Sequence, residues 1–362
     1  MNPPETTTAP TPAPAAAYPA QRLKLLYNPS SGAASPPDYL QTIIGALQAA
    51  NYLPEVTLVQ PGIDIRTEVK NALRRGYRLF VAAGGDGTID SVAAALAGTQ
   101  ATLALVPAGT RNNVAFSLGI PEDPAAAIGL LRTGRRLKID LGLVDNGLEK
   151  RVFLEACSVG LLSALFPATD DIQHGNLGRL GDLLATLISS PASEIHLTVD
   201  GQPPVRTHGH IVLAANMLFV GPRFRVAPDS LLDDNHLDLV VYADLTKMDL
   251  LGSVIKSATG GPEDDRILRY KAQRMTVETD PPMPLVVDGF PMDAAPRVRL
   301  GVRRQALTIV AAPEVPPDQA LTGLTATPAQ AASAAESAAA AAVPEPELAP
   351  PADAPAPAAE TA

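Results

Sequence analysis

The sequence predicts an α/β chain in two parts: an N-terminal three-layer α/β domain on a parallel sheet, then a C-terminal antiparallel, β-sandwich-like domain. Three observations carry this. Between residues 21 and 134, short apolar runs alternate with helix-like stretches, the order of a parallel βα layer. From residue 135 to 312, strand-like runs follow one another across turns with few helices between them. Outside these limits the composition collapses to Ala and Pro, with six of the 36 prolines in residues 1–20 and ten in 313–362. Segments with so few large apolar side chains cannot bury enough surface to offset chain entropy, so both tails are expected to be disordered.

The N-terminal strands are expected at 23–28 (LKLLYN), 55–59 (EVTLV), 79–84 (LFVAAG) and 102–109 (TLALVPAG). Helix-like composition fills 37–50, 64–75 and 88–97 between them. Right-handed crossovers then put helices on both faces and a ligand site at the carboxyl ends of the strands. In the second part, strands are expected at 136–144, 151–159, 193–200, 207–216, 236–242, 269–279, 284–288, 296–301 and 306–311, with helices at 176–189 and 246–258. Nothing ordered is expected after 306–311, and whether that strand returns to the first domain is left open.

With 362 residues, 46% of them hydrophobic, the chain can build two ordinary cores. Its one cysteine, Cys157, cannot form an intrachain disulfide and reads as a small buried apolar residue in a reducing compartment. Met1–Glu5 has no basic, then apolar, signal-peptide pattern, and no stretch approaches the ~20 apolar residues of a membrane span. A soluble cytoplasmic protein is expected. The net charge of −10 is mostly in the tails: setting aside Glu5 and the seven acids of 313–362 leaves about −2 for residues 21–312. Net charge therefore decides nothing about polyanions, and no nucleic-acid partner is expected.

Three glycine-bearing loops follow parallel strands. They are Asn28, Pro29, Ser30, Ser31, Gly32; Gly84, Gly85, Asp86, Gly87, Thr88; and Pro107, Ala108, Gly109, Thr110, Arg111, Asn112, Asn113. Glycine lets backbone approach an anion closely, and amides at a helix N-terminus point at it with the helix dipole behind them. Each loop alone also reads as a packing turn, and Asp86 as a cap for the helix that follows it. Together they point to a phosphate-rich ligand.

The combination of NPSSG (28–32), AAGGDGTIDSVAAAL (82–96) and PAGTRNNVAFSLGIP (107–121) resembles the diacylglycerol kinase catalytic family, specifically the bacterial soluble lipid kinases related to sphingosine kinases. The likeness continues through ANMLFVGPRFRVAPDSLLDDNHLDLVV (215–241) and VVDGFP (286–291), where the family carries DGE. The resemblance implies ATP-dependent phosphorylation of a diacylglycerol-like lipid hydroxyl at the membrane surface, with Mg²⁺ and with nucleotide between the domains. It implies nucleotide contacts at Asn28, Pro29, Ser31, Gly32, Gly84, Gly85, Asp86, Gly87, Thr88, Gly109, Thr110 and Asn112. Catalytic acids are implied at Asp64, Asp86 and Asp288. Asp234 and Asp238 resemble a structural Mg²⁺ site, with an ordinary Asp/Asn turn as the alternative.

Three departures bear on catalysis. Phe290 replaces the family's DGE glutamate, the usual general base; Asn113 replaces the Asp after GTxN; Ser91 replaces the Glu three residues after the Thr of GGDGT. Two readings stay open: an enzyme with a different base, Asp288 being the nearest, or a kinase-like protein that binds nucleotide or lipid without turnover. An NAD-kinase-like enzyme shares GGDGT but not the later motifs. His208 and His210 alternate on a strand and read as solvent-facing, and Arg135–Arg136 and Arg303–Arg304 as ordinary surface or as contacts for anionic headgroups. The lipid and the oligomeric state, a homodimer included, are left open.

Overall fold

Leu23, Leu25, Leu26 and Tyr27 are buried on both faces of a single strand, the mark of the interior of a parallel sheet. The structure, a computed structural model, describes residues 20–32, 38–160, 192–217, 219–220, 224–225, 231–246, 249–250 and 264–313. Apart from residues 20 and 313, the tails expected to be disordered lie outside these residues, as does the helix expected at 176–189, and the helix expected at 246–258 enters them only at 246 and 249–250.

The N-terminal part runs β1 (Gln21–Tyr27), α1 (Tyr39–Ala49), β2 (Tyr52–Leu58), α2 (Ile65–Arg74), β3 (Leu79–Gly84), α3 (Asp86–Leu96), β4 (Thr102–Pro107), α4 (Asn113–Ser117) and α5 (Pro124–Thr133). Its strands are parallel in the order β2-β1-β3-β4. The chain steps outward from β1 to β2, then crosses back to β3 and β4, so right-handed crossovers put α1 on one face and α2 and α3 on the other. Accordingly α2 packs with α3, and α1 with α5. The direction of winding reverses between β1 and β3, which sets a crevice at their carboxyl ends.

The second part contains β5 (Arg135–Asp145), β6 (Lys150–Phe153), β7 (Ala156–Gly160), β8 (Ser193–Val199), β9 (Val205–Ala215), β10 (Phe219–Val220), β11 (Phe224–Arg225), β12 (Leu237–Ala243), β13 (Ile267–Ala272), β14 (Arg274–Asp280), β15 (Leu285–Val287), β16 (Phe290–Met292) and β17 (Arg297–Ala311). Apart from the β10–β11 hairpin, these join the N-terminal strands in one sheet, β16-β15-β7-β9-β8-β14-β17-β4-β3-β1-β2, with β12–β13 branching at β9 and β5–β6 at β17. Pairing within the second part is antiparallel. Strand 306–311 does return: Thr308 and Ile309 pair in parallel with Thr102 and Leu103.

Two apolar cores lie along this sheet, one around Phe80, Ile89 and Leu105, the other around Phe153, Ile195 and Leu239. β5 and β17 feed both, with Ile139 and Ile309 in the first and Val144 and Val298 in the second.

Several element limits differ from expectation, each for a non-local reason. Stretch 151–159 is two strands, because Asp288 draws the amides of Leu154, Glu155 and Ala156 out of the ladder. Stretch 269–279 also divides, at Gln273, whose amide donates with that of Arg274 to the Asp200 carboxylate. Conversely, 296–301 and 306–311 form one strand with a bulge, where buried Asp140 accepts from the amide of Gln305 at 2.6 Å. The other oxygen of Asp140 accepts from Asn235 N at 2.6 Å, so one carboxylate pins two residues of positive φ, 46° and 61°. His208 is exposed as expected but His210 is buried, because β9 passes from its pairing with β8 to an interior position between β7 and β12. Cys157 is fully buried on β7, and burial pushes its thiol up.

Candidate active site

The three glycine loops meet backbone to backbone at the crevice. A Cβ on Gly109 would lie 2.5 Å from Gly85 Cα, and a Cβ on Gly32, whose φ is +75°, would lie 2.5 Å from the Ala108 carbonyl oxygen. A side chain at Gly32 or Gly109 would strike backbone, so the close approach at these two crossings requires glycine. Asn28 Nδ2 donates to Thr88 Oγ1 at 3.0 Å, tying the first loop to the second. Ala108 N donates to the Gly84 carbonyl at 2.9 Å, tying the third to the second. Asn112, in the left-handed region, brackets Gly109 by accepting from its N–H at 2.8 Å and donating to its carbonyl at 2.9 Å. Ser31 and Thr88 are buried, while Pro29 and Thr110 are exposed at the loop tips. Gly85 is the N-cap of α3 and has no side chain to close it, so the positive end of this eleven-residue helix opens on the loops.

Asp86 does not cap its own helix. Its carboxylate turns to the start of α4, where it accepts from Val114 N at 3.4 Å. One turn along α3, at the i+4 position, stands Asp90, 4% exposed, with neither carboxylate oxygen hydrogen-bonded. Glu155, also buried, takes a hydrogen bond from Asn113 Nδ2 at 3.4 Å. Asp288 closes the group, its carboxylate holding the amides of Leu154, Glu155 and Ala156 at 2.8, 2.9 and 3.0 Å.

Burial raises the proton affinity of all four carboxyls, and repulsion from neighbouring carboxylates adds to it at Asp90, Glu155 and Asp288. Asp90 and Glu155 are pushed well up, and Asp288 to about 6, its three amide bonds opposing the shift.

Asp288 and Gly289, at φ 46° and 78°, form the two-residue turn between β15 and β16. Phe290 follows, 46% exposed, its ring 3.2 Å from where a Cβ on Gly87 would sit. Ser91 Oγ donates to the Gly87 carbonyl at 2.8 Å, a helix back-bond.

Other expected residues stand apart from this group. Asp64 caps α2, accepting from Arg66 N at 3.1 Å and from Thr67 Oγ1. Asp234 accepts from His236 N at 3.0 Å and pairs with Lys271 Nζ at 3.2 Å, and Asp238 stands opposite Lys271 in the β12–β13 ladder. Among the described residues, no three His, Cys, Asp or Glu side chains gather closely enough to hold a metal by themselves. Sequence reasoning missed Asp90 and Glu155. The available signals were the Asp86–Asp90 helical spacing and an acid inside the apolar run FLEACSVG.

Comparison with known proteins agrees with this geometry. Residues 22–144 match the model of the diacylglycerol kinase catalytic domain, and 173–311 that of the YegS C-terminal NAD kinase beta sandwich-like domain. The diacylglycerol kinase of Bacillus subtilis (strain 168) is 30% identical over 278 residues, covering 74% of this chain and 89% of the relative. The chain belongs to the diacylglycerol kinase family. A second member, named "Probable lipid kinase YegS-like" from Pseudomonas aeruginosa, is 32% identical over 253 residues, covering 68% of this chain and 80% of the relative. A crystal structure of a diacylglycerol kinase from Bacillus anthracis str. Sterne shares the fold, with TM-score 0.65 and 22% identity over 81% of this chain and 98% of the other. Among the described residues of this diacylglycerol kinase family member, no helix is long and apolar enough to cross a membrane.

Proposed function

We propose that the chain is an ATP-dependent lipid kinase that transfers the γ-phosphate of ATP to the hydroxyl of a diacylglycerol-like lipid. The observation that carries this is the interlocked cradle of Gly32, Gly85 and Gly109 at the open N-terminus of α3. Side-chain-free backbone at these crossings, beside the open N-terminus of α3, suits a triphosphate, because phosphoryl transfer asks chiefly for positioned phosphates and neutralised charge. In this reading Asn28, Pro29, Ser31, Gly84, Gly87, Thr88, Thr110 and Asn112 of the same three loops complete the nucleotide contacts, with Asn28 bonded to Thr88. When bound, Mg²⁺ would travel mainly on the phosphate oxygens, as this ion usually does. At the proposed second Mg²⁺ position, Asp234 and Asp238, Lys271 already supplies a cation and competes with a metal.

Of the proposed catalytic acids, Asp86 lies within the GGDGT loop, Asp288 two residues before the Phe290 ring that covers Gly87, and Asp64 caps α2 apart from them. The protein would work in the cytoplasm and dock transiently on the membrane to reach its lipid. A second reading, binding without turnover, has one observation in its favour: the ring of Phe290 covers Gly87 where a carboxylate is usual.

Calorimetry with Mg·ATP, paired with phosphate transfer to dispersed diacylglycerol, sphingoid base, ceramide and monoacylglycerol, tests the proposal. Micromolar ATP binding with transfer to at least one lipid is expected. Binding without transfer supports the second reading, and absence of both removes the nucleotide assignment.

A further inference from the structure

We propose that Glu155 is the acid–base group of the transfer, taking the proton of the lipid hydroxyl as its oxygen attacks the γ-phosphorus of ATP. This rests on the kinase reading above. Four carboxylates lie close enough to feel one another's charge, and three are otherwise engaged or set deeper. Asp288 holds three backbone amides, Asp86 faces the start of α4, and Asp90 lies one turn further along α3. Glu155 takes one hydrogen bond, from Asn113 Nδ2 at a long 3.4 Å, which leaves it acceptor capacity.

Its position is also fixed. The N–H of Glu155 donates to Asp288 Oδ1 at 2.9 Å, so the turn that replaces DGE anchors the backbone of Glu155 directly. The amide at Asn113, where the resemblance leads one to expect an acid, is the group that touches the Glu155 carboxylate. A carboxylate is thus absent at 113 and 290 in sequence and present at 155 in space, bonded to both segments.

The groups facing Glu155 act in opposite directions. Burial, Asp86 and Asp288 raise its proton affinity, while Asn113 and Arg111 lower it, and Asp90 feels its charge in turn. The upward balance makes this carboxylate a stronger proton acceptor than an ordinary one, which suits a general base. In the step, the hydroxyl O–H bond breaks and the proton passes to Glu155 as the new O–P bond forms. The bond from the γ-phosphorus to the β–γ bridging oxygen breaks, and its electrons leave on ADP. Glu155 then returns its proton to solvent.

The test compares native protein, Glu155→Gln and Glu155→Asp, as full chains, with diacylglycerol in detergent micelles at saturating ATP from pH 5.5 to 9. ATP affinity is measured beside turnover by calorimetry. Glu155→Gln is expected to lose about 10²- to 10⁴-fold in kcat while binding ATP within about threefold of native, and to lose the acid limb of the pH profile. Glu155→Asp, a methylene shorter, is expected to lose roughly 10- to 100-fold yet keep that limb. Native kcat or an unchanged acid limb in Glu155→Gln overturns the assignment and leaves the kinase reading standing. If Glu155→Gln does not fold, the aspartate variant decides: loss of its acid limb overturns the assignment. A native protein that phosphorylates none of the lipids above overturns both.

Discussion

Gly85 and Gly109 cross so closely that a methyl group on Gly109 would lie 2.5 Å from the Cα of Gly85. This crossing joins the GGDGT loop to the GTRNN loop, and a side chain at either position has rigid backbone to push against. A methyl group on Gly85 would lie 3.2 Å from the Cα of Gly109, a contact the loops can nearly absorb.

Gly109→Ala is therefore expected to weaken ATP binding by more than about tenfold, each factor of ten being about 1.4 kcal/mol. Gly85→Ala should cost less. As a control, Gly45→Ala on the exposed face of α1, with nothing within 4 Å, should leave ATP affinity unchanged and stabilise the helix by roughly 0.5–1 kcal/mol. Calorimetric titration and thermal melts of the three variants check this order. Equal ATP affinities in all three would mean that the crossing does not shape the cradle.

Asp90 predicts an inverted pH dependence of stability. Its folded proton affinity is raised, so between the ordinary carboxylate range and its folded value the native state holds a proton that the unfolded chain has released. Stability from this group therefore falls as pH rises through that window. Asp90→Asn removes the buried, unbonded charge and should stabilise the protein at pH 8 by about 1–3 kcal/mol, with the gain shrinking toward pH 5. Glu55, held at about 2 by hydrogen bonds from Lys24, Arg75 and Tyr77, adds no slope in this window. Melting curves from pH 5 to 8.5 decide, and a gain independent of pH contradicts the account.

Phe290→Glu restores the family's usual residue, yet it is expected not to raise kcat. The new carboxylate would stand over Gly87, beside Asp86 and the incoming phosphates, and like charges there oppose ATP binding. A severalfold rise in the Kd for ATP with kcat flat or lower is predicted. A gain of about 100-fold or more in kcat, the usual size of a general-base effect, would show that position 290 is where the base is missing.

Asp140 is expected to be essential to the architecture and silent in chemistry. Removing it in Asp140→Ala leaves the amides of Asn235 and Gln305 without their buried acceptor and should cost roughly 3 kcal/mol. Denaturant melts measure the loss; a change below about 0.5 kcal/mol would show that neither bond holds the sheet together.

The parallel strands and the three glycine loops were legible because apolar runs and glycine turns are local signals, and LFVAAGGDGT carries both. What escaped was set by distant partners. No feature of 151–159 announces the break at Glu155, which depends on an aspartate more than 130 residues away. The bulge at Gln305 likewise depends on Asp140. Glu155 and Asp90 looked like ordinary members of a strand and a helix, and only folding shows them sharing a cluster. Asp288 was found as a residue but not as a clamp, since its three amide bonds exist only once β7 and β15 are paired.

The central claim, phosphate transfer to a lipid at the interlocked glycine cradle, is tested most directly by one measurement. Transfer of label from γ-³²P-ATP to diacylglycerol is followed for native protein and for Gly109→Ala under identical conditions. The account predicts labelled phosphatidic acid from the native protein and at least a tenfold lower rate from the variant at ATP concentrations below saturation. No labelled lipid from the native protein, or equal rates from the two, would contradict it.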